Sequence, residues 1–244
     1  MKHYIYRSAL MICTIVGLHA CSLDEQLGSA LTKSQADSVV KVPSLLKGAY
    51  DNLQRPYQDF EYSWGMAEMS SDEALAPTRA GDWDDNGVWR SLKLHAWTPD
   101  HLHVGRTFTD LLTLQFSATN VLNFNPNDNQ AAQARFLRAL SMFTVVDLYG
   151  QVPFRNPKDT LLNAPRVMKA GEAIGCIISE LTDIMKDLGD RPATPAYEAN
   201  KDAARFLLMK CYLNKGAFLN RESPAFDAAD MQKVIDLADE ITAT

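Results

Sequence analysis

The sequence predicts a mostly α-helical protein in which repeat-like helix pairs pack beside an irregular, loop-rich face. Helical patterns of comparable length follow one another along most of the chain, and the short loops between them favour antiparallel neighbours. The segment from Arg55 to Gly105 lacks sustained helical periodicity, yet it contains all four tryptophans. Continuous strand patterns are hard to find, and no clean repeat of about 34 residues is present. These observations together indicate a helical scaffold that carries one long irregular segment.

The composition is that of a globular protein, with 244 residues, 46% of them hydrophobic and 22% charged. This length suffices for one large domain or two small ones with a packed core. The formal net charge is −6. Because nucleic-acid phosphates require a basic face, we expect no nucleic-acid partner, whereas a neutral ligand is compatible with this charge.

The first twenty residues have the layout of a secretory signal peptide. Lys2 and Arg7 give a basic start, an apolar run extends from Ala9 to Leu18, and Cys21 follows. An apolar run of this length is too short to span a bilayer as a helix. We therefore divide the chain into a signal peptide at 1–20, a tether at 21–42 and a helical domain at 43–244.

The residues around Cys21 resemble a bacterial lipobox, which implies cleavage before this cysteine and lipidation of its thiol. His19 departs from the small residue that is usual there. The alternative is an ordinary secretory signal with an incidental cysteine. Ser22 resembles the pattern that sends lipoproteins to the outer membrane, and Asp24-Glu25 resembles the acidic surface-export signal of Bacteroidetes lipoproteins. We expect a chain anchored in the cell outer membrane by lipid alone and exposed at the surface.

Six segments of the remaining chain show the apolar spacing of amphipathic or buried helices. Proline near the start of the first and an Asn-Pro-Asn-Asp cluster before the third mark helix beginnings. The six predicted helices are Pro43–Gln54, Arg106–Phe124, Ala131–Tyr149, Ala170–Leu188, Asn200–Phe218 and Asp227–Ile241.

The third predicted helix, Ala131–Tyr149, is apolar on every side. Its few polar residues step mostly by three, so that each lies about 60° back around the helix from the last and no face is wholly polar. We expect this helix to be buried between the Arg106–Phe124 and Ala170–Leu188 helices. Its charged residues need partners there, because unpaired buried charge is costly. These residues are Arg135, Arg138 and Asp147.

A family resemblance becomes visible in this segment. From Ala132 to Phe154 the pattern A-x-A-R-F-L-R-A-x-x-x-F-x-x-V-x-x-Y-G-x-V-P-F resembles the signature helix of SusD/RagB-like outer-membrane lipoproteins. Further similar elements are Leu46 to Leu53, Ser71-Asp72-Glu73, Asp82-Trp83 and Lys201-Asp202-Ala203-Ala204. Members of this family are nutrient-binding proteins that sit over TonB-dependent transporters, and they are considerably longer than this chain. The resemblance implies the N-terminal part of a longer family member.

The resemblance also implies a fold and partners. It implies tetratricopeptide-like antiparallel helix pairs beside irregular loops that carry a glycan site. The expected function is capture of an oligosaccharide or other small nutrient for delivery to a SusC-like TonB-dependent β-barrel transporter. No catalytic residue, metal or cofactor is expected. Two alternatives remain open, a helical-repeat scaffold that binds another protein and a glycoside hydrolase, which would need two carboxylates facing across a cleft.

The tryptophan-rich segment is the best candidate for the ligand site. A sugar ring presents an apolar C–H face and a rim of hydroxyls, so an indole beside carboxylate and guanidinium groups is a suitable receptor. The alternative for each tryptophan is that it only covers the scaffold. The candidate ligand-binding residues are Asp72, Arg79, Asp82, Trp83, Trp89 and Trp97.

Two other patterns in the chain admit simpler interpretations. The His101-x-His103 spacing suggests zinc only weakly, because no third ligand stands at a supporting helical spacing, and solvent-exposed or structurally bonded histidines are favoured. Cys176 and Cys211 lie within apolar helical patterns, so two separate core cysteines are favoured over a disulfide.

Overall fold

The computed structural model of the chain describes residues 39–71, 73–77, 84–159 and 162–243. The predicted leader, the lipidation site at Cys21 and nearly all of the tether lie outside these ranges. In the described part, each of the six predicted helices is present with ends shifted by a few residues, so the mostly α fold class is confirmed. The elements are α1 Val42–Asp51, α2 Gln54–Gln58, α3 Ser63–Ser70, a 3₁₀ turn Asp85–Gly87, α4 Val88–Lys93, α5 Leu102–Val121, α6 Asp128–Tyr149, β1 Gln151–Phe154, β2 Arg166–Lys169, α7 Ala170–Ile184, α8 Lys201–Leu219 and α9 Ala228–Thr242.

Helix α6 is the centre of the fold, as its sequence predicts. It packs against α5 on one side and α7 on another, and α1 and α8 also contact it. More than half of its residues are buried, including polar Gln133, Arg138 and Ser141. Ser141 is fully buried, and its hydroxyl donates to the carbonyl oxygen of Leu111 in α5 at 2.6 Å. The predicted position of this helix between its two neighbours is confirmed.

Both ends of α6 are fixed by local chemistry. Asn127 accepts a hydrogen bond from the backbone N–H of Gln130, and the Gln130 side chain accepts from the Asn127 N–H, which completes a capping box. At the other end Gly150 adopts φ 74°, the left-handed conformation that ends many helices and that glycine adopts without strain. The chain then continues directly into β1.

A small sheet follows α6 that the sequence analysis did not predict. Strands β1 and β2 pair antiparallel, with Val152 opposite Met168 and Phe154 opposite Arg166. Continuous strand patterns are hard to find in the sequence, and these two strands are short enough to explain why. Each strand has only four residues and β1 contains a proline, so neither shows the alternation by which a strand is recognised in sequence. The pairing places β2 directly before α7.

Charged residues of α6 form an ion cluster with α7, as predicted for two of the three. Arg138 and Glu180 are both buried and hydrogen-bond to each other. The Arg135 Nε also donates to the same Glu180 oxygen at 3.0 Å, and its Nη1 donates to Asp183 at 2.7 Å. The third prediction is wrong within the described residues, where no cation pairs with the Asp147 carboxylate. Asp147 lies exposed near the end of α6, and Arg221 donates to its backbone carbonyl oxygen at 3.4 Å.

The segment from Arg55 to Gly105 is less irregular than its sequence suggests. It contains most of α2 and the short helices α3 and α4, and a small hydrophobic cluster of Met66, Trp89 and Leu92 joins α3 to α4. Gly65 permits this packing, because a Cβ at this position would lie 1.8 Å from the carbonyl oxygen of Phe60. Helices this short show little periodicity, since packing rather than local pattern stabilises them.

His103 forms part of the same cluster. Its side chain is buried and stacks on Trp89 with ring centroids 4.4 Å apart. The Nδ1 atom has no hydrogen-bond partner among the described residues. Loss of hydration on burial lowers the pKa of His103, because the charged imidazolium is the form that burial disfavours. The imidazole is therefore held neutral within the core.

The two cysteines of the helical domain are not bonded to each other. Cys176 is half-buried in α7 and Cys211 is fully buried in α8. The prediction of separate core cysteines is confirmed. Burial raises the pKa of the Cys211 thiol to about 12, so this group remains an unreactive thiol at neutral pH.

The ion cluster predicts a large effect for a single substitution. Glu180→Ala leaves Arg138 buried without its carboxylate partner, and loss of one partner of a buried pair costs about 3–5 kcal/mol. Chemical denaturation should show a reduction of this size in the free energy of unfolding. Asp183→Ala is the matched control, because it removes the exposed partner of Arg135, and its effect should be much smaller. Similar small losses for both variants would contradict the central role of Glu180.

The buried imidazole predicts a pH dependence of stability. Because the pKa of His103 is lowered on folding, the unfolded chain binds the proton more readily. The free energy of unfolding should therefore fall as the pH is lowered through the unfolded histidine value of about 6.5, by at most the slope of one proton. Denaturation of wild type and His103→Gln between pH 5 and 8 measures this contribution. Parallel profiles for the two proteins would show that His103 contributes nothing to the slope.

Candidate functional site

Two of the candidate ligand-binding residues, Trp89 and Trp97, lie in the described part of the chain. The other four, Asp72, Arg79, Asp82 and Trp83, lie outside it. Their assignment to a ligand site stays a prediction. The geometry of the candidate surface is therefore built from Trp97 and the residues that position it.

Trp89 is a packing residue in this structure. It is 4% exposed and stacks against both His103 and Phe60, whose ring centroid lies 6.1 Å away. Its indole Nε1 donates to the Asp85 carboxylate at 3.1 Å, which satisfies the one polar atom of the ring. So little of the indole is accessible that a sugar ring could not stack on it in this arrangement. Its role here is to join α4 to the start of α5.

Trp97 is 44% exposed and lies on a turn that is tied to a neighbouring helix. The turn begins at His95, whose φ of 52° is left-handed and whose ring lies 5.4 Å from the indole. His95 Nε2 lies 2.7 Å from the carbonyl oxygen of Ser70, and Lys93 Nζ donates to that of Ser71 at 3.2 Å. The turn that carries the exposed indole is thereby fixed to the end of α3.

Pro99, two residues after Trp97 in the sequence, lines a polar cavity of about 540 Å³. Carboxylate and guanidinium groups line it, and they pair across it: Arg106 with Glu61 at 3.5 Å and Arg55 with Asp110 at 3.7 Å. Such groups can donate and accept hydrogen bonds with ligand hydroxyls. None of the candidate ligand-binding residues that the structure describes lines this cavity, and no signal in the sequence pointed to the residues that do.

More apolar side chains are exposed in the same segment. Trp64 on α3 is 61% exposed, and Leu75 and Leu94 are exposed to a similar degree. Single exposed apolar residues are common on protein surfaces, so each alone indicates little. Trp64 is nevertheless a second indole available to solvent, and its presence among the four tryptophans was the only sequence signal for it.

Both histidines of the His-x-His pattern are held within the fold, His103 by stacking on Trp89 and His101 by hydrogen bonds. His101 Nδ1 accepts from the Val104 N–H at the start of α5, and its Nε2 lies 3.1 Å from the Val88 carbonyl oxygen. Among the residues the structure describes, no group of three His, Cys, Asp or Glu side chains is placed to hold a metal ion. The same ranges contain no helix long and apolar enough to cross a membrane.

A second cavity, of about 910 Å³, lies between α1 and the start of α6. The polar groups on its wall are largely satisfied by one another. The Tyr50 hydroxyl donates to Gln133 at 2.7 Å and accepts from the Ala199 N–H at 2.8 Å, and Gln133 in turn donates to Asn129. Burial raises the pKa of Tyr50 to about 12, so this hydroxyl keeps its proton at any physiological pH. The network joins three parts of the chain and has a structural role.

The chain is similar in sequence to a starch-binding protein. It is 34% identical over 186 residues to starch-binding protein SusD from Bacteroides thetaiotaomicron, and the match covers 73% of this chain and 32% of SusD. The chain therefore spans about a third of the length of this relative. No protein-family model matches the chain.

Several solved structures share the fold. A laminarin-binding SusD-like protein superposes with a TM-score of 0.65 at 17% identity, over 83% of this chain and 43% of that protein. A SusD-like carbohydrate-binding protein from Bacteroides fragilis gives 0.63 at 20% identity, over 83% and 40%. Surface glycan-binding protein A from Bacteroides uniformis gives 0.60 at 16% identity, over 80% and 45%. Identities this low establish the fold alone, and the sequence match to SusD adds the relationship. Together they identify the chain as SusD-like.

Proposed function

We propose that this protein binds glycans, with Trp97 as part of the ligand surface. The observation that carries the proposal is the half-exposed indole of Trp97, held on a fixed turn from which the chain leads, two residues later at Pro99, into the wall of a cavity lined by carboxylate and guanidinium groups. An indole covers the apolar C–H face of a sugar, and the charged groups bond its hydroxyls. The relatives named above bind starch, laminarin or carbohydrate, which supports the same ligand class for this chain.

The remaining candidate residues extend this surface in the proposal. Asp72 directly follows Ser71, whose carbonyl oxygen accepts from Lys93 near the Trp97 turn. Asp82 and Trp83 directly precede Asp84, which pairs with Arg90 of α4 at 2.6 Å. Arg79 lies between these two segments in the sequence. Their closeness in sequence to the Trp97 turn is the reason to include them in the proposal.

The proposed activity is binding without chemical change of the ligand. The proteins to which the chain is similar are named for binding, and glycoside hydrolysis would require two carboxylates at opposite sides of a sugar with different pKa values. We further propose that the ligand passes to a SusC-like TonB-dependent transporter. The resemblance of the signature helix to SusD/RagB-like lipoproteins and the leader that ends at Cys21 support this step.

The Trp97 surface predicts a specific loss of affinity. Replacing Trp97 by Ala removes the stacking surface, and the affinity for a bound oligosaccharide should fall about tenfold, equivalent to about 1.4 kcal/mol. Isothermal titration with maltoheptaose and laminarihexaose measures the change. Phe226→Ala is the matched control, because Phe226 is an exposed aromatic residue between α8 and α9, away from the tryptophan segment. Unchanged affinity in the Trp97 variant would exclude this surface.

The proposed lipid anchor predicts a change of cell fraction. Cys21→Ser removes the thiol that would carry the lipid, so the variant should leave the membrane fraction and fail to incorporate labelled palmitate. Fractionation and palmitate labelling of cells that express the whole protein test this. Anchoring through Cys21 would be contradicted if the variant still sedimented with the outer membrane and the wild type incorporated no more labelled palmitate than the variant.

A further inference from the structure

A smaller cavity lies at the opposite end of α5 from Trp97. Its volume is about 220 Å³, and the C-terminal half of α5, strand β1 and the segment after β1 form its wall. Residues 115–120 lie 13–18 positions after the start of α5, which corresponds to about 20–27 Å along the helix. One sugar ring cannot occupy this cavity and also contact Trp97, so the two places are separate sites.

Gln115 gives this cavity an unmet requirement for a hydrogen-bond donor. The residue is 7% exposed, and its Nε2 donates to the carbonyl oxygen of Pro153 at 2.6 Å. That bond fixes the amide orientation, because only the nitrogen can donate to a carbonyl. The Oε1 atom of the same amide is buried, and it has no hydrogen-bond partner among the described residues. Buried acceptors are nearly always paired, so an O–H group from a ligand would complete this one.

Other polar groups of the wall are held in place by the backbone. Asn123 Oδ1 accepts from the Lys158 N–H at 2.6 Å, and its Nδ2 lies 3.5 Å from Asn120 Oδ1. Asp159 Oδ2 accepts from the Asn156 N–H at 2.8 Å, and Arg155 Nη2 donates to the Asn163 carbonyl oxygen. Amide, carboxylate and guanidinium groups are thus fixed in the same wall as Gln115 before any ligand binds.

An apolar surface completes the wall. Phe116 follows Gln115 in α5, lines the cavity and is 50% exposed. Pro153 also lines it, beside the Gln115 amide. A ligand that fits must combine an apolar face with several hydroxyl groups. The volume is below the usual range for drug-sized ligands, about 300–1,000 Å³, so it suits one small unit and not an extended chain.

We infer that this cavity is a second saccharide subsite, which binds one neutral pyranose unit through the Gln115 carbonyl and the Phe116 ring. The inference rests on the proposed glycan-binding function, and it adds a position that the tryptophan segment does not supply. The 910 Å³ cavity is the weaker candidate, because its Tyr50, Gln133 and Asn129 groups bond one another. In the smaller cavity, a buried acceptor remains for the ligand.

The test is a titration observed by NMR at the side-chain amides of the cavity. The probes are the methyl glycosides of glucose, galactose and mannose, added to the ¹⁵N-labelled chain, with glycerol at matched hydroxyl concentration as the control. At least one glycoside should shift the Gln115 and Asn120 amide signals saturably, whereas glycerol should not. Phe116→Ala should weaken this binding about tenfold. Phe116 is half exposed, so its removal should leave the fold intact, and Phe226→Ala should change nothing.

The variants separate this inference from the proposed function. Trp97→Ala should leave the cavity shifts unchanged, because that residue belongs to the other site. If oligosaccharide binding depends on Trp97 while no glycoside shifts the cavity amides, the subsite is wrong and the proposed function stands. Cavity shifts in a protein whose oligosaccharide affinity is insensitive to Trp97→Ala would support the subsite and reject the Trp97 surface. If glycerol shifted the cavity amide signals as much as the glycosides do, the cavity would bind small polyols without selectivity, as an adventitious additive only, and the subsite would be wrong.

Discussion

The buried pairing of Arg138 with Glu180 is the interaction on which the scaffold depends. The guanidinium group lies between the Glu180 carboxylate and the Phe154 ring, whose centroid is 5.4 Å from the Arg138 Cζ. Two further nitrogens of Arg138 are buried without a hydrogen-bond partner in the described chain. A charge with so few bonds is tolerated only while its one carboxylate stays in place. The pair therefore fixes α7 and the start of the small sheet relative to α6.

The sheet itself follows from this arrangement. Phe154 lies opposite Arg166 in the β1–β2 pairing, and the Arg166 guanidinium is also within 5.9 Å of the Phe154 centroid. Arg166 pairs in turn with Glu172 in the first turn of α7, an acidic residue where the helix dipole favours negative charge. The turn from α6 into α7 is therefore held by a continuous series of cations, one aromatic ring and two carboxylates.

Much of this scaffold could be predicted, because in a long helical segment the spacing of apolar residues indicates which faces are buried. Helix α6 was placed correctly between its neighbours, and the need of Arg135 and Arg138 for partners was evident from their spacing. Their shared partner Glu180 was not evident, since one acidic residue on an amphipathic helix 42 residues away carries no local signal. The same limit explains Asp147, which lies at the exposed end of α6 where no partner is required.

The candidate site was less predictable because its features arise from contacts between distant segments. Composition alone singled out the tryptophan segment, but it could not separate the packed Trp89 from the exposed Trp97. That difference depends on the stacking of Trp89 on His103 and on the hydrogen bond between His95 and Ser70. The open acceptor of Gln115 was also invisible in sequence, since it depends on the carbonyl of Pro153 in a strand that has no sequence signature.

Helix α5 runs without interruption for 20 residues, from a point shortly after Trp97 to the small cavity that its C-terminal half lines. A continuous helix is stiff, so the separation between these two surfaces is set by a count of helical turns and not by loop conformation. Insertion or deletion of one residue would rotate one surface about 100° relative to the other, whereas substitutions along the exposed face would leave their spacing unchanged. Under the proposed function and the inferred second subsite, α5 sets the distance between the two surfaces, so the glycans that engage both at once share a repeat length even where their composition differs.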